Sequence, residues 1–129
     1  MKILGIGIDV VNNKRISKIL NSYKSNFKNK IFSKKEIIYC EKSPNPINCF
    51  SKRFAAKEAF TKALGTGFGY GISLKNIEVF HDINGKPFIK VTGPVLKKLK
   101  KKIDNKKYKI EVSISDEINI SCANVIILY

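Results

Sequence analysis

The sequence predicts an α+β fold, on three observations: an opening apolar run with one carboxylate, Lys2-Ile3-Leu4-Gly5-Ile6-Gly7-Ile8-Asp9-Val10-Val11, a helical stretch beginning near Arg53, and two apolar runs that close the chain. The 129 residues suffice for one domain, 1–129, of modest core, and are too few for two independent folds.

A strand is expected over 3–10, a helix over about 13–25 on the stripe Ile16, Ile19 and Leu20, and a second helical stretch over 34–40. Pro44-Asn45-Pro46 reads as a loop. The Arg53 helix follows, then a strand over 77–80, a turn at Asn84-Gly85, a strand over 88–91 and a lysine-rich helix from Pro94. In that last helix Val95, Leu96, Leu99 and Ile103 make the apolar stripe, and Lys97, Lys98, Lys100, Lys101 and Lys102 make a solvated cationic face. The closing strands, 108–114 and 118–128, carry apolar runs suited to burial on both faces.

From Arg53 to Gly67 the residues sort by helical geometry. Ala56, Ala59, Phe60 and Ala63 form an apolar stripe, while Glu58 and Lys62 project together from the polar side of an amphipathic helix. A glutamate four residues before a lysine is an ordinary surface ion pair; it is also a carboxylate and a cation poised for phosphate chemistry with a metal, and the helix alone leaves both open. Arg53 offers a planar fork of donors that suits phosphate, against a solvated helix position, and Lys57 reads as surface. The run Gly65-Thr66-Gly67-Phe68-Gly69-Tyr70-Gly71 ends the helix, since glycine supplies left-handed conformations and lets backbone approach a ligand. It follows a helix and lacks a Gly-Lys-Ser/Thr ending, so it is not a nucleotide loop of the strand-to-helix kind.

Asp9 is an unpaired charge in an apolar strand, and burial of such a group is expensive. A cation, backbone N–H groups or capping of the following helix would each stabilise it, and spacing favours the cap.

Composition sets bounds. The formal charge of +15 comes almost entirely from lysine, arginine occurring only at Arg15 and Arg53. This raises a basic nucleic-acid-binding protein as the competing class, although base-edge readout leans on arginine and aromatics. No apolar stretch is long enough to cross a bilayer, and the first apolar run lacks the marks of a signal peptide. Cys40, Cys49 and Cys122 match neither a zinc nor a redox spacing and read as reduced thiols. His81, the single histidine, reads as incidental.

Taken in order, Gly5-Ile6-Gly7-Ile8-Asp9 with Arg15-Ile16, the stretch from Arg53 to Gly67, Gly85-Lys86-Pro87 and Val112-Ser113-Ile114-Ser115 resemble the holo-acyl-carrier-protein synthase family, the short trimeric 4'-phosphopantetheinyl transferases. The resemblance covers nearly the whole chain. It implies a mainly antiparallel sheet packed by helices in the 4'-phosphopantetheinyl transferase fold, assembled as a homotrimer with sites between subunits. It also implies transfer of the phosphopantetheine arm of coenzyme A to a serine of apo acyl carrier protein, releasing adenosine 3',5'-bisphosphate, in cytoplasmic fatty acid biosynthesis. Carried over by position, Asp9 and Glu58 are Mg2+ ligands, and Glu58, Lys62 and Asp9 are catalytic. Arg53, Lys62, Gly65, Gly67 and Pro87 face the coenzyme. Arg15, Lys18 and Ile19, with basic residues around Lys24 and Lys28, face the carrier protein; no specific nucleic acid and no membrane is implied. Ser113-Ile114-Ser115-Asp116 departs from the family pattern, which commonly has histidine at the last position near coenzyme phosphate. Asp116 would repel a phosphate unless a lysine intervened, or would serve the turn between the closing strands.

Overall fold

A computed structural model describes residues 1–67 and 72–129, with 23–25 described for backbone alone. Phe68, Gly69, Tyr70 and Gly71 of the glycine-rich run and the side chain of Lys24, all invoked above, lie outside the described residues.

The expected α+β class is what forms. In chain order the elements are β1 (Ile3–Asn12), α1 (Asn13–Ile31), α2 (Lys34–Glu41), α3 (Pro46–Leu64), a 3-10 turn (Leu74–Asn76), β2 (Ile77–His81), β3 (Pro87–Val91), α4 (Gly93–Lys102), β4 (Lys109–Asp116) and β5 (Ile120–Leu128). All strand pairing is antiparallel: β1-β5-β4 make one sheet and β2-β3 a hairpin. The hairpin turns where expected, with Gly85 at φ 82° and Asp82 Oδ1 accepting from the Asn84 and Lys86 amides.

α3 organises the core. It was expected to be amphipathic, yet Lys62 is its one exposed residue, because β1, β5, α1, α2 and the hairpin enclose it on nearly every side. It also begins earlier than expected: Pro46 belongs to its first turn, where a missing N–H costs nothing, and Asn45 caps it by accepting from the Asn48 amide at 3.2 Å.

α1 runs six residues past its expected end, since Phe27 and Ile31 continue the stripe of Ile16 and Leu20 onto the core and Lys28 and Lys30 complement the C-terminal dipole. Its cap is Asn12, whose Oδ1 accepts from the Lys14 amide at 2.9 Å, so Asp9 is not the cap that spacing favoured. The reason is register: Asp9 lies on the inner face of β1, while the helix starts after Asn12.

Two further expectations fail locally. Cys40 and Cys49 form a disulfide, leaving Cys122 alone as a free thiol; the Pro44-Asn45-Pro46 turn folds α2 back on α3 and brings the two Cα atoms to 5.4 Å. Asp116 closes β4 opposite Ser121 and does not sit in the turn. Among the described residues no helix is long and apolar enough to cross a membrane.

Candidate active site

The alternation of β1 explains its glycines. Gly5, Gly7, Asp9 and Val11 face inward, and α3 crosses them so closely that a Cβ on Gly5 would overlap the Ala63 carbonyl and one on Gly7 the Ala59 carbonyl. The Ala59 and Ala63 stripe supplies the matching smooth surface on the helix. The consequence is placement: Asp9, the next inward residue after Gly7, comes to lie beside the part of α3 that carries Glu58 and Lys62.

Lys62 then bonds Asp9 and leaves Glu58 aside. Its Nζ donates to Asp9 Oδ1 at 3.0 Å and to the Ile8 carbonyl at 2.8 Å, so the expected lysine partner one turn away on the same helix is given up for a strand carboxylate. Among the described residues Glu58 Oε1, which is buried, has no hydrogen-bond partner. Burial, reinforced by the charge of Asp9, pushes the Glu58 carboxyl up to about 7, against the opposing pull of Lys62 and Arg15. A buried acceptor without a donor, facing a second carboxylate, is costly unless a cation completes it. Asp9 and Glu58 are hard oxygen ligands and only two in number, and among the described residues no group of three or more His, Cys, Asp and Glu forms a metal cluster. That set fits Mg2+, which commonly takes one or two carboxylates and fills its other positions with water and substrate phosphate.

Gly65 caps α3 in the left-handed conformation at φ 75°, its amide returning to the Lys62 carbonyl, and Gly67 follows at φ 57°. Both therefore exit the helix directly beyond Lys62. On α1, Arg15 and Lys18 are exposed and Ile19 is half-buried, and the charge of Arg15 reaches Glu58.

Arg53 and Pro87 belong to a different neighbourhood. Arg53 is 3% exposed; its Nη1 donates to Cys49 Sγ at 3.1 Å, its Nη2 lies 3.4 Å from His81 Nδ1, and its guanidinium stacks over Tyr39 at 4.6 Å. Its Nε has no partner among the described residues. Pro87 pairs with His81 across the hairpin. Arg53, Tyr39 and His81 border a polar cleft of about 360 Å³ that Lys52, Asn48 and Asp116 complete, and Pro87 is not part of its lining. Asp116 there accepts from Asn48 Nδ2 at 2.7 Å and pairs with Lys52 at 3.8 Å, so a lysine of this same chain does intervene beside it. His81, read as a lone residue, packs against Arg53 and Tyr39, and burial, then the charges of Arg53 and Lys52, lower its proton affinity and favour the neutral ring.

Lys57 is the clearest correction. Expected at the surface, it is fully buried and ion-paired to Glu36 at 2.6 Å. Its signal was the partner: a glutamate at Glu36, in the Ser33 capping box of α2, stands in a segment otherwise short of acids.

The fold and this geometry define a class: an α+β domain in which a strand and a helix bring two carboxylates and a lysine together. Comparison identifies it further. The profile of the 4'-phosphopantetheinyl transferase superfamily matches residues 5–122. The holo-[acyl-carrier-protein] synthase of Pelagibacter ubique is 46% identical over 98% of both chains, and that of Wolbachia pipientis is 44% identical over 97% of both. The crystal structure of holo-[acyl-carrier-protein] synthase from Neisseria meningitidis superposes with a TM-score of 0.87 at 36% identity, covering 99% of this chain and all of that one. A holo-(acyl-carrier-protein) synthase from Bacillus anthracis, solved in complex with CoA (3',5'-ADP), gives 0.78 at 31% identity over 97% of this chain and 96% of that one. The chain belongs to the 4'-phosphopantetheinyl transferase superfamily, within its holo-acyl-carrier-protein synthase family.

Proposed function

We propose that this transferase moves the 4'-phosphopantetheine group of coenzyme A to a serine hydroxyl of apo acyl carrier protein, with Mg2+ held by Asp9 and Glu58. The observation that carries the reading is the orphaned, buried Glu58 Oε1 beside Asp9, with Lys62 held at the same point by a 3.0 Å bond. When bound, the cation would neutralise charge on the pyrophosphate as the leaving group departs. Lys62 adds a cation of the chain's own over the same phosphates. The serine oxygen forms a bond to the β-phosphorus, the bond to the bridging oxygen breaks, and adenosine 3',5'-bisphosphate leaves. The serine proton passes to the Glu58 carboxylate, the base this reading assigns.

Gly65 and Gly67 leave backbone open to the pantetheine phosphate, Arg53 borders the cleft that suits the nucleotide end, and Pro87 stands behind it as the strand partner of His81. The crystallised relative with bound CoA (3',5'-ADP) supports that choice of donor. Arg15, Lys18 and Ile19, on the helix face next to Glu58, form the docking surface for the carrier protein, whose approach the +15 charge would steer. The outer face of the sheet supports a homotrimer: Ile6, Ile8 and Val10 are 59%, 57% and 62% exposed in the single chain, an apolar strip that a neighbouring subunit would cover. The reading places the enzyme in cytoplasmic fatty acid biosynthesis.

The test is direct. Incubated with apo acyl carrier protein, coenzyme A and MgCl2, the enzyme adds one phosphopantetheine to the carrier, seen by mass spectrometry, and a chelator stops it. An unchanged carrier mass, or a gain insensitive to chelator, would refute the reading or its metal.

A further inference from the structure

We propose that the buried Lys57–Glu36 pair is the positioning device that aims Glu58 at Asp9. This rests on the transferase reading above and adds two residues to it.

All three donors of Lys57 Nζ are used inside the protein: to Glu36 Oε1 at 2.6 Å, to the Leu74 carbonyl at 2.9 Å and to the Ile77 carbonyl at 2.5 Å. Glu36 is equally filled, accepting from the Ser33 amide at 3.0 Å on Oε1 and from the Val79 amide at 3.1 Å on Oε2. Both side chains are completely buried. One side chain of α3 is thus fastened to α2, to the 3-10 turn and to β2 together.

The need for such a fastening follows from the other side of the helix. There α3 meets β1 through Gly5 and Gly7 against Ala59 and Ala63, a contact of backbone on backbone in which interlocking side chains do little to fix the helix's rotation, the half-exposed Lys62 bonds to Ile8 and Asp9 being the polar tie on that side. Neighbouring residues on a helix are set about 100° apart by its 3.6-residue turn, so fixing the direction of Lys57 fixes that of Glu58. The same ammonium holds Leu74 and Ile77, where the chain returns to the core after the glycine-rich exit. An apolar pair would fill the space, and buried ion pairs are commonly no more stabilising than such replacements, so directionality is the property that the charged pair adds.

The double variant Glu36→Gln/Lys57→Met removes both charges and keeps the volume. A control, Val95→Ala, opens the core on α4, an element that supplies no hydrogen bond to the pair, and costs stability while leaving both charges in place. On the full chain, kcat, the KM for apo carrier protein, and calorimetric titration of MgCl2 in the presence of coenzyme A are measured well below each variant's melting temperature. The expected result is a loss of about tenfold or more in kcat and in magnesium affinity for the double variant, with the carrier KM within about twofold, and both quantities retained by Val95→Ala. A double variant within about twofold of wild type in kcat and magnesium affinity would overturn the proposal, as would equal losses in the control. Should the double variant not fold, Glu36→Gln alone is held to the same criteria. A wild-type protein that neither transfers nor binds magnesium would overturn the transferase reading itself, and the wild-type arm shows that separately.

Discussion

The two sides of α3 are built on opposite rules. On one, Lys57 is buried with every donor satisfied, and Arg53 is packed between Tyr39, His81 and Cys49. On the other, Glu58 is pressed into a half-buried position with one oxygen unmatched and a second carboxylate close enough to raise its proton affinity. Desolvation acts on both, lowering the lysine's proton affinity and raising the glutamate's. The difference is that Lys57 finds its partners within the fold, whereas Glu58 Oε1 finds none among the described residues. An unsatisfied group that persists beside a thoroughly satisfied one marks where a protein has kept capacity for a ligand.

Breaking the contrast at Glu58 gives the largest effect. Glu58→Gln removes the charge that holds a cation and is expected to cut transfer by on the order of 10³-fold while leaving the melting temperature equal or higher, as read by carrier mass kinetics and thermal denaturation. Equal losses of activity and stability would place Glu58 with Lys57 among the structural groups.

Exchanging the two lysines sharpens the comparison. Lys57→Ala strands Glu36 as a buried unpaired charge and should cost about 3–5 kcal/mol in denaturant unfolding. Lys62→Ala gives up a half-exposed pair with Asp9 and should cost less than about 1 kcal/mol, yet it should slow transfer more than its stability effect explains.

A smaller effect is read by pH. The Glu58 carboxyl is raised from 4.5 to about 7 in the fold, so between those values the folded state holds a proton that the unfolded chain has released. Its contribution is therefore present at low pH and lost as pH rises through that window. Melting temperatures of wild type and Glu58→Gln should diverge from pH 5 to pH 8, about the span of the window, in favour of the variant. Added MgCl2 should narrow the gap at the alkaline end, where Glu58 is ionised and free to bind. The smallest change is expected from Asp116→Asn, since its partners Lys52 and Asn48 are surface groups: unfolding stability should move by less than about 0.5 kcal/mol.

How much of this could be read in the sequence depended on distance along the chain. Asp9 stands alone in its strand and Glu58 and Lys62 share one helix, so local pattern made them visible, but spacing left a cap and a surface ion pair open and only the family resemblance made them candidates. The long-range choices were not legible. Lys62 pairs with Asp9, 53 residues away, and not with its helical neighbour Glu58. Lys57 meets Glu36 across 21 residues, and periodicity sees such a lysine only as a solvated face. The ends of α1 and α3 moved for a related reason: Phe27, Ile31 and Phe50 belong to helices through tertiary packing, with the Phe32 and Phe50 rings in tilted contact at 4.9 Å, rather than through local signals. The Cys40–Cys49 bond likewise depends on how a turn folds two helices together, which no cysteine count reveals.

Calorimetric titration of MgCl2 into wild type and Glu58→Gln, each with coenzyme A present, tests the central claim most directly. Saturable binding by wild type that vanishes in the variant is the predicted result. Identical isotherms for the two proteins would contradict it and would leave the orphaned oxygen of Glu58 without a purpose in this site.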